Sequence, residues 1–129
     1  MPVQLNHTIA MATDPAASAQ LLADVLGLAA PHAWGPFHEV RLDNGVAIDF
    51  MDCGGNPVSA IHYAFLVSED EFDQIFGRIQ ERGLAHFADP HKQHPGEINH
   101  DDGGRGVYWD DPDGHLLEMM TVPYGGWPS

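Results

Sequence analysis

One pattern runs through this chain twice. Leu5-Asn6-His7-Thr8-Ile9-Ala10 leads through a helical stretch to Gly27-Leu28-Ala29, and Ala60-Ile61-His62-Tyr63-Ala64-Phe65 leads through another to Gly83-Leu84-Ala85. Each half then closes with a glycine and a short apolar strand that carries a carboxylate four residues on, Gly45 to Asp49 and Gly114 to Glu118. Laid over one another, the halves set His7 opposite His62 and Asp49 opposite Glu118. Repetition at this scale points to duplicated supersecondary units that share a core.

Within each half the local signals alternate between strand and helix. Leu5, His7, Ile9 and Met11 alternate with polar or small residues, the period of a strand with one buried face. Asp14 can cap a helix, Pro15 suits its first position, Leu21, Leu22, Val25 and Leu26 form its stripe, and Gly27 ends it. Strands are expected over 28–32, 37–42 and 46–52, the last two joined by Asp43-Asn44-Gly45. Gly54-Gly55-Asn56-Pro57 is the candidate linker.

The second half restarts with a strand over 59–67. Ser68 and Glu71 form a capping-box signature, Phe72, Ile75, Phe76 and Ile79 fall at i, i+3, i+4 and i+7, and Gly83 ends that helix. Strands are expected over 84–88, 105–110 and 116–121, the last two turning at Asp111-Pro112-Asp113-Gly114. The second half is longer between its histidine and its carboxylate, and the polar stretch 89–103 absorbs the excess as a lid or substrate-shaping insertion.

At 129 residues the chain fits a single domain, with one module over 3–53 and the other over 58–122. A lone cysteine, Cys53, excludes an intrachain disulfide, and with no obvious activating partner it reads as inert. Met1-Pro2-Val3-Gln4 resembles neither a basic leader nor an apolar signal core, so a cytoplasmic location is the expectation. A formal charge of −14, with Arg41, Arg78, Arg82, Lys92 and Arg105 as the only side-chain cations besides histidine, disfavours nucleic acid and anionic membrane as partners. No apolar run reaches the roughly 18 residues a membrane span needs.

Strand alternation puts His7 on the face of Leu5 and Ile9, His62 with Ala60 and Ala64, and Glu118 with Leu116 and Met120. A carboxylate on an apolar face is costly unless it is paired or bound to a cation, and a divalent ion suits a Glu beside two neutral imidazoles. Two histidines and one carboxylate leave coordination positions open. Taken singly, each of these residues has a structural explanation; the duplication is what sets them apart.

Asp49 stands open between direct ligand, acceptor behind the ligands, base and fold-supporting charge. Tyr108, ten residues before Glu118, can donate a proton to substrate or simply line the sheet. Among the seven other histidines, His91 and His94 form only a weak metal signal, and His115 is expected to support its turn. Trp34, Phe37, Trp109 and Trp127 stand open between pocket lining and core.

These spaced residues, together with Asp110-Asp111-Pro112-Asp113-Gly114-His115-Leu116-Leu117-Glu118, resemble the vicinal oxygen chelate superfamily of glyoxalases, bleomycin-resistance proteins and extradiol dioxygenases. The similarity spans roughly residues 3–122. It implies an α+β fold of paired βαβββ modules forming a cupped mixed sheet. It also implies a homodimer and a divalent metal, Fe, Ni, Zn or Mn, held by His7, His62 and Glu118 for a small oxygenated substrate.

Glyoxalase I is similar in offering four ligand positions, here His7, Asp49, His62 and Glu118, although Asp at the second is a departure and few arginines remain for glutathione. Fosfomycin-resistance transferases are similar around His62-Tyr63-Ala64-Phe65, Tyr108 and Glu118, but Ile9 replaces their threonine. Glyoxalase-like lyase or isomerase chemistry is the leading expectation. An Fe(II) ring-cleaving dioxygenase and a drug-sequestering binding protein are the alternatives.

Overall fold

The computed structural model describes residues 2–128, and its contacts separate into two units that divide between Ser59 and Ala60. The first consists of β1 (His7–Ala12), α1 (Pro15–Leu26), β2 (His32–Trp34), β3 (Phe37–Arg41) and β4 (Ala47–Asp52). The second consists of β5 (His62–Leu66), α2 (Glu69–Glu81), β6 (His86–Phe87), β7 (Gly106–Asp110) and β8 (Leu116–Met120). Each unit forms its own four-stranded mixed sheet, in the order β1-β4-β3-β2 and β5-β8-β7-β6. The expected α+β fold of two βαβββ modules is the one the chain adopts. In both units the helix is the crossover that lets the first strand lie parallel to the last, while the remaining pairs are antiparallel.

The helices begin and end where the local chemistry places them. The Asp14 side chain accepts the Ala17 N–H at 3.2 Å, and Gly27 closes α1 in the left-handed region at φ 71°. At α2 the capping box is complete: Ser68 Oγ accepts from the Glu71 N–H at 3.1 Å while Glu71 Oε1 accepts from the Ser68 N–H at 2.8 Å. Phe72, Ile75 and Ile79 are buried, and the Phe76 ring meets His86 edge-on at 5.2 Å. Arg105 clamps the start of α2, donating to Glu69 Oε1 at 2.7 Å and Asp73 Oδ1 at 2.8 Å with its guanidinium over the Phe72 ring.

Three expectations are corrected. The strand placed over 28–32 starts only at His32, because α1 is closed by a hydrogen bond from the Leu28 N–H to Ala23 O and Pro31 has no N–H to offer a ladder. The strand placed over 84–88 shrinks to His86–Phe87. The third concerns faces. The period of β1 is as read, but the buried residues are Ala10 and Ala12, whereas Leu5 and Ile9 on the histidine face are 63% and 41% exposed.

The helix explains the reversal. α1 packs on β1, β3 and β4 through Ser18, Ala19, Leu22, Ala23 and Val25, and small residues on both surfaces permit that close approach. On β5, likewise, Phe65 is buried while His62, Ala64 and Leu66 are exposed. Both histidines thus stand on the more exposed side of their own edge strands, β1 and β5.

The polar stretch 89–103 is held in place rather than loose. Asp89 accepts from the backbone N–H groups of Gln93 and His94, Lys92 pairs with Asp110 on β7, and the Asn99 side chain donates to Ala88 O at 2.8 Å. Among the tryptophans, Trp109 belongs to the core at 2% exposure, whereas Trp34 and Trp127 are exposed.

Candidate metal centre and family

The register repeats as faithfully as the sequence. His7 lies opposite Ala47, with Asp49 two residues further along β4; His62 lies opposite Leu116, with Glu118 two residues further along β8. Residues two apart share a sheet face, so each histidine and its carboxylate are diagonal neighbours on one face. Across the next pair, Tyr108 lies directly opposite Glu118, and Glu39 directly opposite Asp49.

In the second unit these residues touch. Glu118 is 2% exposed, and its Oε1 lies 3.1 Å from His62 Nε2. The other ring nitrogen of His62, Nδ1, is 3.0 Å from Leu116 O. A carbonyl oxygen only accepts, so Nδ1 carries the proton and Nε2 of the neutral ring presents a lone pair. That lone pair faces a carboxylate oxygen, an arrangement that requires a cation or a second ring proton between them.

A backbone carbonyl behind Nδ1 is the usual way in which a metal-binding imidazole is oriented. The 3.1 Å separation is also one that two ligands of a single ion can keep, each with a bond of about 2.0–2.2 Å. The donor set therefore fits a divalent metal.

The register of this pair is fixed by the Asp-Pro-Asp-Gly-His turn. Asp111 Oδ1 accepts from the N–H groups of Asp113 and His115, both at 2.9 Å, and the His115 ring is 1% exposed. His115 Nδ1 accepts the Ile61 N–H at 3.0 Å, one residue before His62, and Leu116 N–H donates to Ile61 O at 2.9 Å. The turn thus binds the start of β5 to the start of β8, in line with the supporting role expected for His115.

The first unit repeats the geometry with different chemistry. His7 Nδ1 donates to Asn6 Oδ1 at 2.7 Å, which again leaves Nε2 as the presented nitrogen. Asp49 is 3% exposed, and its Oδ1 has no hydrogen-bond partner. Burial first, then the Glu39 carboxylate beside it, push its carboxyl above the ordinary range, opposed by His7 and Arg41. An orphaned buried carboxylate oxygen is the second observation that suits a cation.

Tyr108 is 6% exposed, its ring 6.2 Å from that of His62 and its hydroxyl 3.4 Å from Tyr124 Oη. Burial, with Tyr124 and Glu118 adding to it, drives its phenol well above the usual range, so it stays protonated and available as a donor. Among the described residues no three His, Cys, Asp or Glu side chains come together as a metal-binding group, and each unit by itself presents a pair.

Two neighbours of these pairs escaped the sequence reading. Glu39 stands ten residues before Asp49, as Tyr108 does before Glu118, and that shared interval was the available signal. Tyr124 lies in a Pro-Tyr-Gly-Gly segment beyond the last strand, where no period marks it. Its hydroxyl donates to Glu118 Oε1 at 2.6 Å.

Comparison with known proteins agrees with this architecture. The structure called Oxidase ChaP-H1 is 65% identical, with a TM-score of 0.93 over 97% of this chain and 100% of that one. Oxidase ChaP-H2 is 57% identical, with a TM-score of 0.94 over 98% of both chains. Metallothiol transferase FosB of Shouchella clausii (strain KSM-K16) is 35% identical over 63 residues, which take in 49% of this chain and 39% of the transferase. Residues 4–119 match the family as a whole, so the chain belongs to the Glyoxalase/Bleomycin resistance protein/Dioxygenase superfamily.

Proposed function

We propose that this protein is a metal-dependent, oxygen-using enzyme acting on a small oxygenated substrate, with His7, His62 and Glu118 as the ligands of one divalent ion. The observation that supports the metal is the placement of His62 Nε2 3.1 Å from the buried Glu118 Oε1, with Nδ1 turned to Leu116 O. Bound there, the ion would supply Lewis acidity, stabilising negative charge on substrate oxygens. Glu118 brings the compensating charge. His62, its Nδ1 tied to Leu116 O, keeps one ring orientation. Tyr108 keeps its O–H as a hydrogen-bond donor to a substrate oxygen, and Asp49, whose carboxyl takes a proton more readily than a surface Asp, exchanges protons on the other unit.

Oxygen chemistry is preferred over the lyase or isomerase chemistry expected from the motifs for two reasons. The 65% and 57% identical neighbours are both named oxidases. In addition, two imidazoles and one carboxylate with open positions form the ligand set of non-haem ferrous oxygenases. The lyase or isomerase reading stands second, supported by the unpartnered Asp49 Oδ1 at the repeat position of Glu118, which suits a four-ligand, redox-inert site. We take the two units to be modules of one domain and the working assembly to be a homodimer, in which the half-sites of two copies serve shared ions.

The deciding experiment loads chelator-stripped protein with Fe(II), Ni(II), Zn(II) or Mn(II) and follows oxygen uptake with a catechol, aerobically and anaerobically. Uptake that needs Fe(II) and disappears in His62→Ala and Glu118→Ala supports the proposal. Turnover with zinc or nickel under anaerobic conditions shifts the assignment to a lyase or isomerase. Absence of bound divalent ion in every preparation refutes both.

A further inference from the structure

Glu118 has one partner that the repeat does not supply. After β8 the chain turns back on itself: the Gly126 N–H donates to Pro123 O at 2.8 Å, with Gly125 and Gly126 both in the left-handed region at φ 79° and 88°. A side chain at either glycine would be strained in that conformation. The turn is pinned by Asp102, in the 3-10 turn Asp101–Gly103, whose Oδ2 accepts the Gly125 N–H at 3.1 Å. At its tip sits Tyr124.

Tyr124 combines two features that packing alone does not explain. The residue is 65% exposed, so burial of its ring does not hold it. Yet its hydroxyl reaches the 2% exposed Glu118 and donates to Oε1 at 2.6 Å, the same oxygen that faces His62 Nε2, with Tyr108 Oη 3.4 Å away. A phenol donating to an ionised carboxylate is a short, charge-assisted bond, stronger than a neutral one. The equivalent carboxylate of the first unit, Asp49, has no such donor and keeps an unpartnered oxygen.

We propose that Tyr124 is a positioning residue for Glu118: the C-terminal turn delivers a phenolic O–H to Oε1 and holds the carboxylate in the orientation from which it meets His62. Its effect on metal uptake rests on the reading of Glu118 as a ligand; the docking of the turn on Glu118 does not. Donors to ligating carboxylates are worth about ten- to a hundredfold in metal affinity, so the hydroxyl alone carries a measurable share.

Tyr124→Phe keeps the ring and removes the O–H. In metal-free, full-length protein, the Gly125 and Gly126 amides are expected to exchange with deuterium several-fold faster in Tyr124→Phe than in the wild type. Glu118→Ala is expected to match that increase, and the double variant to add nothing. Zinc affinity, read by competition with a chromophoric chelator, is expected to fall about ten- to a hundredfold in Tyr124→Phe with the thermal midpoint of the metal-free protein little changed.

Unchanged exchange overturns the proposal, as does faster exchange with zinc affinity equal to or tighter than that of the wild type. If the wild type takes up no zinc, the metal assignment is what fails, and the exchange comparison alone decides whether Tyr124 is seated on Glu118.

Discussion

Replacing Glu118 by Gln separates the contribution of its charge to metal binding from its contribution to folding. In the metal-free protein the carboxylate is 2% exposed and accepts at Oε1 from Tyr124, so neutralising it relieves a buried charge while weakening a charge-assisted bond. The two effects oppose each other, and Glu118→Gln is expected to move metal-free stability by no more than about 1 kcal/mol.

With metal the balance is one-sided. At a free ion concentration a hundredfold above its Kd, the wild type gains about 2.7 kcal/mol; a variant binding a hundredfold more weakly gains about 0.4 kcal/mol at the same concentration. For a chain of 129 residues, a kilocalorie moves the midpoint by roughly 3–5 °C. The wild type should therefore rise by about 10 °C on titration with zinc or manganese, and Glu118→Gln by under about 2 °C. Thermal melts of chelator-stripped protein across that titration give both numbers. Equal shifts in wild type and variant would refute the assignment of Glu118 as a ligand.

Asp49 makes a pH-dependent prediction. Its folded-state pKa is raised, chiefly by burial, so its contribution is fully present below the unfolded value of 3.8 and is lost as pH rises through the folded one. Asp49→Asn should accordingly stabilise the metal-free protein at pH 7 and give little gain near pH 3, as read by urea denaturation at the two pH values. His115→Ala removes a ring that is 1% exposed and orphans the Ile61 N–H, at a cost of about 2–4 kcal/mol in the same assay. Ser68→Ala dismantles the α2 capping box and should cost about 0.5–2 kcal/mol, visible as a lower urea midpoint with unchanged slope.

The features legible in the sequence are those written by neighbouring residues. Asp14, Pro15, Gly27, Ser68 and Glu71 act within a turn of where they stand, so the helix limits followed directly. The interval from each histidine to its carboxylate survives as strand register, which is why the His62–Glu118 pair could be named before any geometry. What could not be read is which face of β1 is buried. Ile9 and Met11 are the larger residues, but the buried ones are Ala10 and Ala12, in a sheet that α1 covers across β1, β3 and β4, and tertiary packing, not side-chain size, decides the matter. Tyr124 was invisible for a different reason: its role depends on a glycine turn and on Asp102, 22 residues upstream.

Both ladders close within a continuous stretch of polypeptide, with each histidine-bearing strand as the outermost member of its own sheet. His7, Glu39 and Asp49 all precede the Gly54-Gly55 segment, and His62, Tyr108, Glu118 and Tyr124 all follow it. A backbone severed between those glycines would sever none of the contacts inside either cluster. Each half is therefore testable by itself as a fragment, with circular dichroism reporting whether it keeps its own βαβββ ladder.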